Sequence, residues 1–193
     1  MIALPFMKSG LQAIRGDRVS LRIPFASDYA AWARLRGESR AFLTPWEPLW
    51  GPGDLERYAF RTRVRRYQEE VQSGTGYPFF LFRTADGKLM GGITLSNVRR
   101  GVTQAGTIGY WMGEPFAGKG YMSEAVRLII PFAFDTLRLH RIEAACIPTN
   151  ARSIHLLEKA GFRREGLLRS YLKINGMWQD HLLFSLIEDD GRG

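Results

Sequence analysis

The chain has 193 residues, of which 45% are hydrophobic and 24% charged, the balance of a soluble globular protein. No apolar run approaches the ~20 residues of a membrane-crossing helix, and a single cysteine, Cys146, rules out an internal disulfide and suits a reducing, cytoplasmic setting. Lys and Arg outnumber Asp and Glu by 27 to 19, and the net charge of +8 directs attention to anionic partners: phosphorylated cofactors, nucleic acid or a ribonucleoprotein particle.

Residues 1–16, beginning MIALPFMKSG, read as a loose arm, because Pro5, Lys8 and Gly10 interrupt any secretory core. RVSLRI (18–23) alternates polar and apolar residues as a strand does. Ser27 or Asp28 is placed to cap a helix reaching Arg36. AFLTPWEPLWGPGD (41–54), rich in Pro and Gly, reads as an aromatic-bearing loop without regular structure. A second helix is expected over 54–73, stopped near Gly74. YPFFLFRT and KLMGGITLSNV flank ADGK as a hairpin, and QAGTIGYWM adds a strand.

A helix over 120–137 follows, with Pro131 expected to kink it. HRIEAACI is a strand, NARSIHLLEKAGF a helix stopped by Gly161, and LLRSYLKINGMWQDHLLFSLI a long hairpin turning at Asn175-Gly176. Residues 188–193 form a tail. The order β-α-α-β-β-β-α-β-α-β-β predicts one α/β domain over 1–193, a mixed sheet of about seven strands flanked by four helices. No Cys/His pattern has metal-ligand spacing, so no metal is expected.

PFAGKGYMSEA (115–125), between a strand and a helix, carries the strongest chemical signal. It satisfies most of a P-loop, but Gly120 stands where the magnesium-binding hydroxyl belongs. It begins a dinucleotide fingerprint, but Ser123 takes the third glycine's place. Both patterns share a simpler physics: glycines admit close backbone approach, and the first N–H groups of the helix point at an anion, with Lys119 and Arg127 adding charge. A tight strand-to-helix turn with no ligand is the alternative.

GKGYMSEA, followed by LHRIEAACIPTNARSIHLLEKAGFRREG, resembles the GNAT superfamily of acetyl-CoA-dependent N-acetyltransferases, and within it the ribosomal-protein-alanine N-acetyltransferase branch. FLTPWEP (42–48), SNVRRG (96–101), Asn150 with Ser153, and NGMWQDH (175–181) extend the likeness over about residues 18–187. The resemblance implies a centrally splayed sheet, with coenzyme A held by Trp111, Met112, Ala117, Gly118, Lys119, Gly120, Tyr121, Met122, Ser123 and Asn150. Two departures stand out: Ala117 replaces the family's usual Gln or Arg, and Met122 its usual small residue. Neither removes a backbone donor.

The resemblance further implies acetyl transfer to the N-terminal amine of a protein, a small-subunit ribosomal protein, with ribosome or rRNA proximity. Such an α-amine, with pKa ~7.7 to 8.0, is already partly neutral near pH 7. Many members donate a proton from a tyrosine where Leu157 stands here, which leaves Ser153 as the substitute acid, or else only a helix-capping residue. Asn150 is assigned to the pantetheine arm, the helix cap, or both. Relatives often carry an acid before the hairpin tyrosine, yet Ser170 precedes Tyr171; Glu165, Glu114, Asp180 and water are the candidate bases, Glu165 foremost. Trp46, Tyr110 and Tyr171 are expected to line the acceptor groove. Two rivals remain: the same chemistry on a polyamine or aminoglycoside, and a non-catalytic basic RNA- or ribosome-binding protein.

Overall fold

Alternation of apolar and polar residues in short stretches produces the strands of the computed structural model, which describes residues 11–190; the first ten and last three residues lie outside the described residues. In chain order they are β1 (Ile14–Arg15), β2 (Val19–Arg22), β3 (Tyr77–Arg83), β4 (Leu89–Arg99), β5 (Ala105–Met112), β6 (Arg141–Cys146), β7 (Arg163–Ile174) and β8 (Met177–Ile187). The helices are α1 (Tyr29–Glu38), α2 (Arg40–Leu43), α3 (Arg57–Ser73), α4 (Tyr121–Pro131) and α5 (Ala151–Lys159). All eight strands join one mixed sheet in the order β1-β2-β3-β4-β5-β6-β8-β7.

The expected class and element order hold, with one more strand and one more helix than predicted. Part of the expected arm is sheet: Ile14 pairs with Leu21 and Arg15 with Ser20, a contact too short to leave a period in the sequence. The 41–54 segment contains α2 and a 3₁₀ turn at Thr44–Trp46, where the ring of Pro45 pre-sets the backbone angle of a first turn rather than breaking it. Asp54 does not start α3, which begins three residues later behind Glu56; its carboxylate instead accepts the Gly51 N–H at 2.8 Å. Asp28 does not cap α1 with its side chain, which turns back to Phe25 N (2.8 Å) and to Arg22 (2.6 and 2.8 Å).

Pro131 ends α4 instead of kinking it midway. Its missing N–H lets the chain widen into a π turn over Phe132–Thr136, closed by Leu137 N to Phe132 O at 3.0 Å. That widening buries Phe132, Ala133 and Phe134 in succession, with the Phe132 ring edge-on to Tyr77 and Phe79. Other stops follow the prediction. Gly74 closes α3 at φ +70°, Gly161 follows α5 at φ +89°, and Asn175-Gly176 turns the β7–β8 hairpin with both residues at positive φ.

The larger core cluster takes in α4, α5 and residues from β2 to β8, including Leu21, Ile93, Ile129, Ile142 and Phe184. A smaller cluster joins α1 and α3 to the sheet through Trp32, Leu35, Phe60, Val64, Phe80 and Leu89. Each such side chain contributes about 1.5–3 kcal/mol by leaving water. The two clusters hold the sheet between them, so that a gap between strands connects two differently lined surfaces.

Candidate functional site

That gap lies between β5 and β6. The strands run parallel and pair only from Ala105 opposite Arg141 to Ile108 opposite Ala144. Beyond that pair, Gly109 to Met112 stay bonded to β4, while Ala145 and Cys146 stay bonded to β8. The backbone groups of this β5 segment that face away from β4 therefore lack a strand partner, and the sheet splays open as the family resemblance implies.

One end of the gap is closed by the turn after β5. Gly113 N bonds Met90 O (2.8 Å), a 3₁₀ turn spans Glu114–Phe116, and Gly118 and Gly120 both adopt left-handed backbone, at φ +73° and +80°. Gly120 is the N-cap of α4, whose first N–H groups, from Tyr121, Met122 and Ser123, have no carbonyl one turn back to bond. Arg18 and Glu124 clamp this turn. The buried Glu124 carboxylate accepts from Arg18 N (2.8 Å), Arg18 Nε (3.1 Å) and Val19 N (3.2 Å), while Arg18 Nη1 donates to Lys119 O (3.2 Å). Lys119 Nζ folds back onto Pro115 O (2.7 Å). Arg83 stacks on Phe116 near Tyr121 and is ion-paired with Asp86 at 2.5 Å.

This cradle suits a diphosphate: free N–H groups at a helix start, glycines with no side chain in the way, and Lys119 beside the ion-paired Arg18 and Arg83. Met122 is buried and offers only its backbone. Sequence reasoning missed the Arg18–Glu124 clamp, although an acid inside the apolar stretch MSEAVRLII was a usable signal.

Tyr110, from the free part of β5, and Ser153, from α5, meet at the gap with hydroxyls 2.6 Å apart. Asn150 Oδ1 accepts Ser153 N at 3.1 Å, so Asn150 caps α5 and orients Ser153 together. Burial raises the Tyr110 hydroxyl above its ordinary value, partly offset by the Ser153 bond, so Tyr110 keeps its proton at neutral pH. Burial also raises the Cys146 thiol, partly offset by the nearby Ser153. The structure thus brings Tyr110, Cys146, Asn150 and Ser153 into one cluster.

It does not bring Glu165 there. Glu165 sits on β7 beside Ser185, which pairs with Glu143 in the closed part of the β5–β6 ladder. Arg141 grips its carboxylate with two nitrogens, and with Ser185 Oγ holds its pKa down at about 2, which makes it a weak base. Asp180 accepts Ser170 N (2.8 Å), stabilising a bulge in which β7 carries two extra residues between the pairs Leu168–His181 and Leu172–Gln179. Glu114 is exposed, with its own N–H bound to Ser39 Oγ (2.9 Å).

The bulge, with Ser170 at φ +45°, turns Tyr171 outward, edge-on to His181 at 5.7 Å. Past the last β6 pair, Cys146 with Leu182, the β7–β8 hairpin overhangs the gap. Its tip returns to the α2–α3 loop, where Asn175 N donates to Glu47 O at 2.8 Å. Trp46, 38% exposed, directly precedes Glu47 in the chain, and Tyr171, 44% exposed, lies on β7 of the same hairpin.

Compared with known proteins, residues 18–163 match the acetyltransferase (GNAT) domain family. The chain belongs to the GNAT acetyltransferases. It is similar to the Bacillus subtilis (strain 168) protein called probable N-acetyltransferase YjcK, at 36% identity over 92% of this chain and 98% of that one. It is 35% identical, over 90% of each chain, to the [ribosomal protein uS5]-alanine N-acetyltransferase of Escherichia coli (strain K12). Among solved structures, Mycobacterium smegmatis RimJ in complex with CoA-disulfide superposes with a TM-score of 0.85 at 34% identity, over 89% of this chain and 83% of that one. This GNAT protein is thus an acetyl-CoA-dependent acetyltransferase, with ribosomal-protein-alanine N-acetyltransferases among the proteins it is similar to. Among its described residues no group of three or more His, Cys, Asp or Glu is placed to hold a metal, and no helix is long and apolar enough to cross a membrane.

Proposed function

We propose that the protein is a cytoplasmic N-α-acetyltransferase that acetylates the N-terminal amine of a small-subunit ribosomal protein. The observation that carries this reading is the Tyr110–Ser153 hydroxyl pair where β5 and β6 part, with the glycine turn at the start of α4 following β5 and the β7–β8 hairpin tip bound to the α2–α3 loop. Acetyl-CoA supplies an activated thioester carbonyl. The Gly118–Gly120 turn and the N–H groups of Tyr121 to Ser123 hold its diphosphate, and the strand-free backbone of β5 is available to polarise the acyl oxygen.

Ser153 Oγ is the proton donor to the departing sulfur, replenished through Tyr110. Asn150 positions Ser153, and its cap engages only Oδ1, which leaves the amide nitrogen for the pantetheine arm. An α-amine needs no strong base near neutral pH, so water serves in place of Glu165, whose low basicity argues against the role. Direct attack also leaves the protonated Cys146 thiol outside the chemistry.

A peptide is favoured over a polyamine, because the cavity lined by Arg36 and Arg63 together with Glu47 and Asp54 offers a polycation no net negative charge. Incubating the protein with acetyl-CoA and Ala- or Ser-initiated peptides, beside spermidine and an aminoglycoside, tests the reading through thiol release and product mass. One acetyl group on a peptide's α-amine is the expected result; acetylation of the small amines alone would overturn it.

A further inference from the structure

On the α1 and α3 face of the sheet lies a cavity of about 290 Å³, walled by Trp32, Trp50 and Trp111. Gly92 forms its floor: a Cβ there would come within 2.4 Å of Trp111 Nε1, so the glycine lets the indole lie against the sheet. Trp111 directly follows Tyr110, which places the cavity one residue from the reacting hydroxyls, across β5.

Two guanidinium groups enter this aromatic box. Arg36 stacks over Trp50 (4.4 Å) and Trp111 (4.9 Å), and its Nη atoms are both taken by Glu47, at 2.5 and 3.1 Å. Arg63 stacks over Trp32 (5.6 Å) but has no carboxylate within ion-pair distance among the described residues. Among those residues, the only buried side-chain nitrogen or oxygen atoms without a hydrogen-bond partner are the Nε atoms of Arg36 and Arg63. Arg36 and Arg63 both line this one cavity, together with Glu47 and Asp54.

Buried donors without acceptors cost stability, and a native structure keeps them where something else completes them. The carboxylates that line the cavity are engaged elsewhere, Glu47 by Arg36 and Asp54 by the Gly51 N–H, so Arg63 brings a cation without an ion-pair partner among the described residues and a fork that matches a carboxylate. We propose that this cavity is an acceptor subsite in which Arg63 binds an Asp or Glu side chain carried within the first few residues of the substrate peptide. The proposal rests on the N-terminal acetyltransferase reading. Glu47 links the cavity to the hairpin, because its side chain braces Arg36 and Trp50 while its carbonyl holds the hairpin tip.

The test uses Ala-initiated peptides of about six residues in matched pairs, Glu against Gln at position 2, 3 or 4, followed by turnover and by calorimetric binding. At one position the Glu peptide is expected to show about tenfold lower KM and Kd than its Gln partner, with similar kcat. Arg63→Gln should bring that ratio to about one and Arg63→Lys should retain part of it, with melting curves checking that both variants fold. Equal KM for Glu and Gln peptides at every position, or an undiminished ratio in folded Arg63→Gln, would overturn the subsite while leaving N-terminal acetylation intact. Glu-selective binding without acetyl transfer would uphold the subsite and sink the acetyltransferase reading instead.

Discussion

Replacing Gly120 by glutamate separates folding from cofactor binding. Gly120 sits at φ +80°, where a non-glycine residue costs about 1–2 kcal/mol. Its Cβ would meet only the flexible Arg18 Nη2, at 3.2 Å, and that guanidinium can give way. At this chain length about 1 kcal/mol lowers Tm by about 2–4 °C, so Gly120→Glu should melt roughly 2–8 °C early. Gly118→Ala, at φ +73° with no atom within 4 Å of the added carbon, should lose about the same and serves as the control. Only the glutamate adds charge beside the diphosphate. One like charge ~5 Å away at an effective dielectric of ~20 costs about 3 kcal/mol, roughly a 150-fold loss of affinity. Calorimetric titration with coenzyme A measures the affinity, and circular dichroism the fold. A folded Gly120→Glu protein that binds coenzyme A as tightly as Gly118→Ala would refute the assignment of the cradle.

Ser153→Ala should lower kcat by about 10²-fold with little change in coenzyme A affinity, since general acid catalysis contributes on that scale; an unaltered rate would leave Ser153 as a packing residue. Asn150→Ala removes the 3.1 Å cap on Ser153 N and should cost about 0.5–2 kcal/mol, while Asn150→Asp retains most of the stability; equal melting of the two would contradict the cap. Glu165 has its pKa depressed from 4.5 to about 2, mainly by Arg141, so its stabilisation is present above about 4.5 and lost as pH falls toward 2. Glu165→Gln should therefore melt below the wild type at pH 7, converge with it as pH falls through that window, and retain turnover. A turnover loss beyond about tenfold at pH 7 would restore Glu165 as the base.

Local signals were legible because they depend on neighbours in the chain. The glycines at 74, 118, 120, 161 and 176 mark positions of positive φ that few other residues adopt at low cost, and each sits at a turn or helix end. The cradle was readable for the same reason, since its donors are backbone groups of seven consecutive residues. Asn150 capping Ser153 is likewise an i to i+3 contact.

The catalytic geometry was not legible in this way. Tyr110 and Ser153 are 43 residues apart and meet only because β5 and β6 part after Ile108 and Ala144, a matter of how two helical layers tilt the strands. Glu165 looked like a base by residue type, and only the sheet register, which sets Arg141 and Ser185 against it, lowers its basicity. Arg63 is one of five arginines in α3, and only tertiary packing sets it against Trp32 in a cavity with Arg36. Sequence by itself determined the turns, most of the element order, the family resemblance and the glycine turn that starts α4, because short-range sterics and spacing encode them. Tertiary structure decided which distant charges cancel and which remain uncompensated, because Coulomb and hydrogen-bond energies depend on distance and burial that only the folded chain sets.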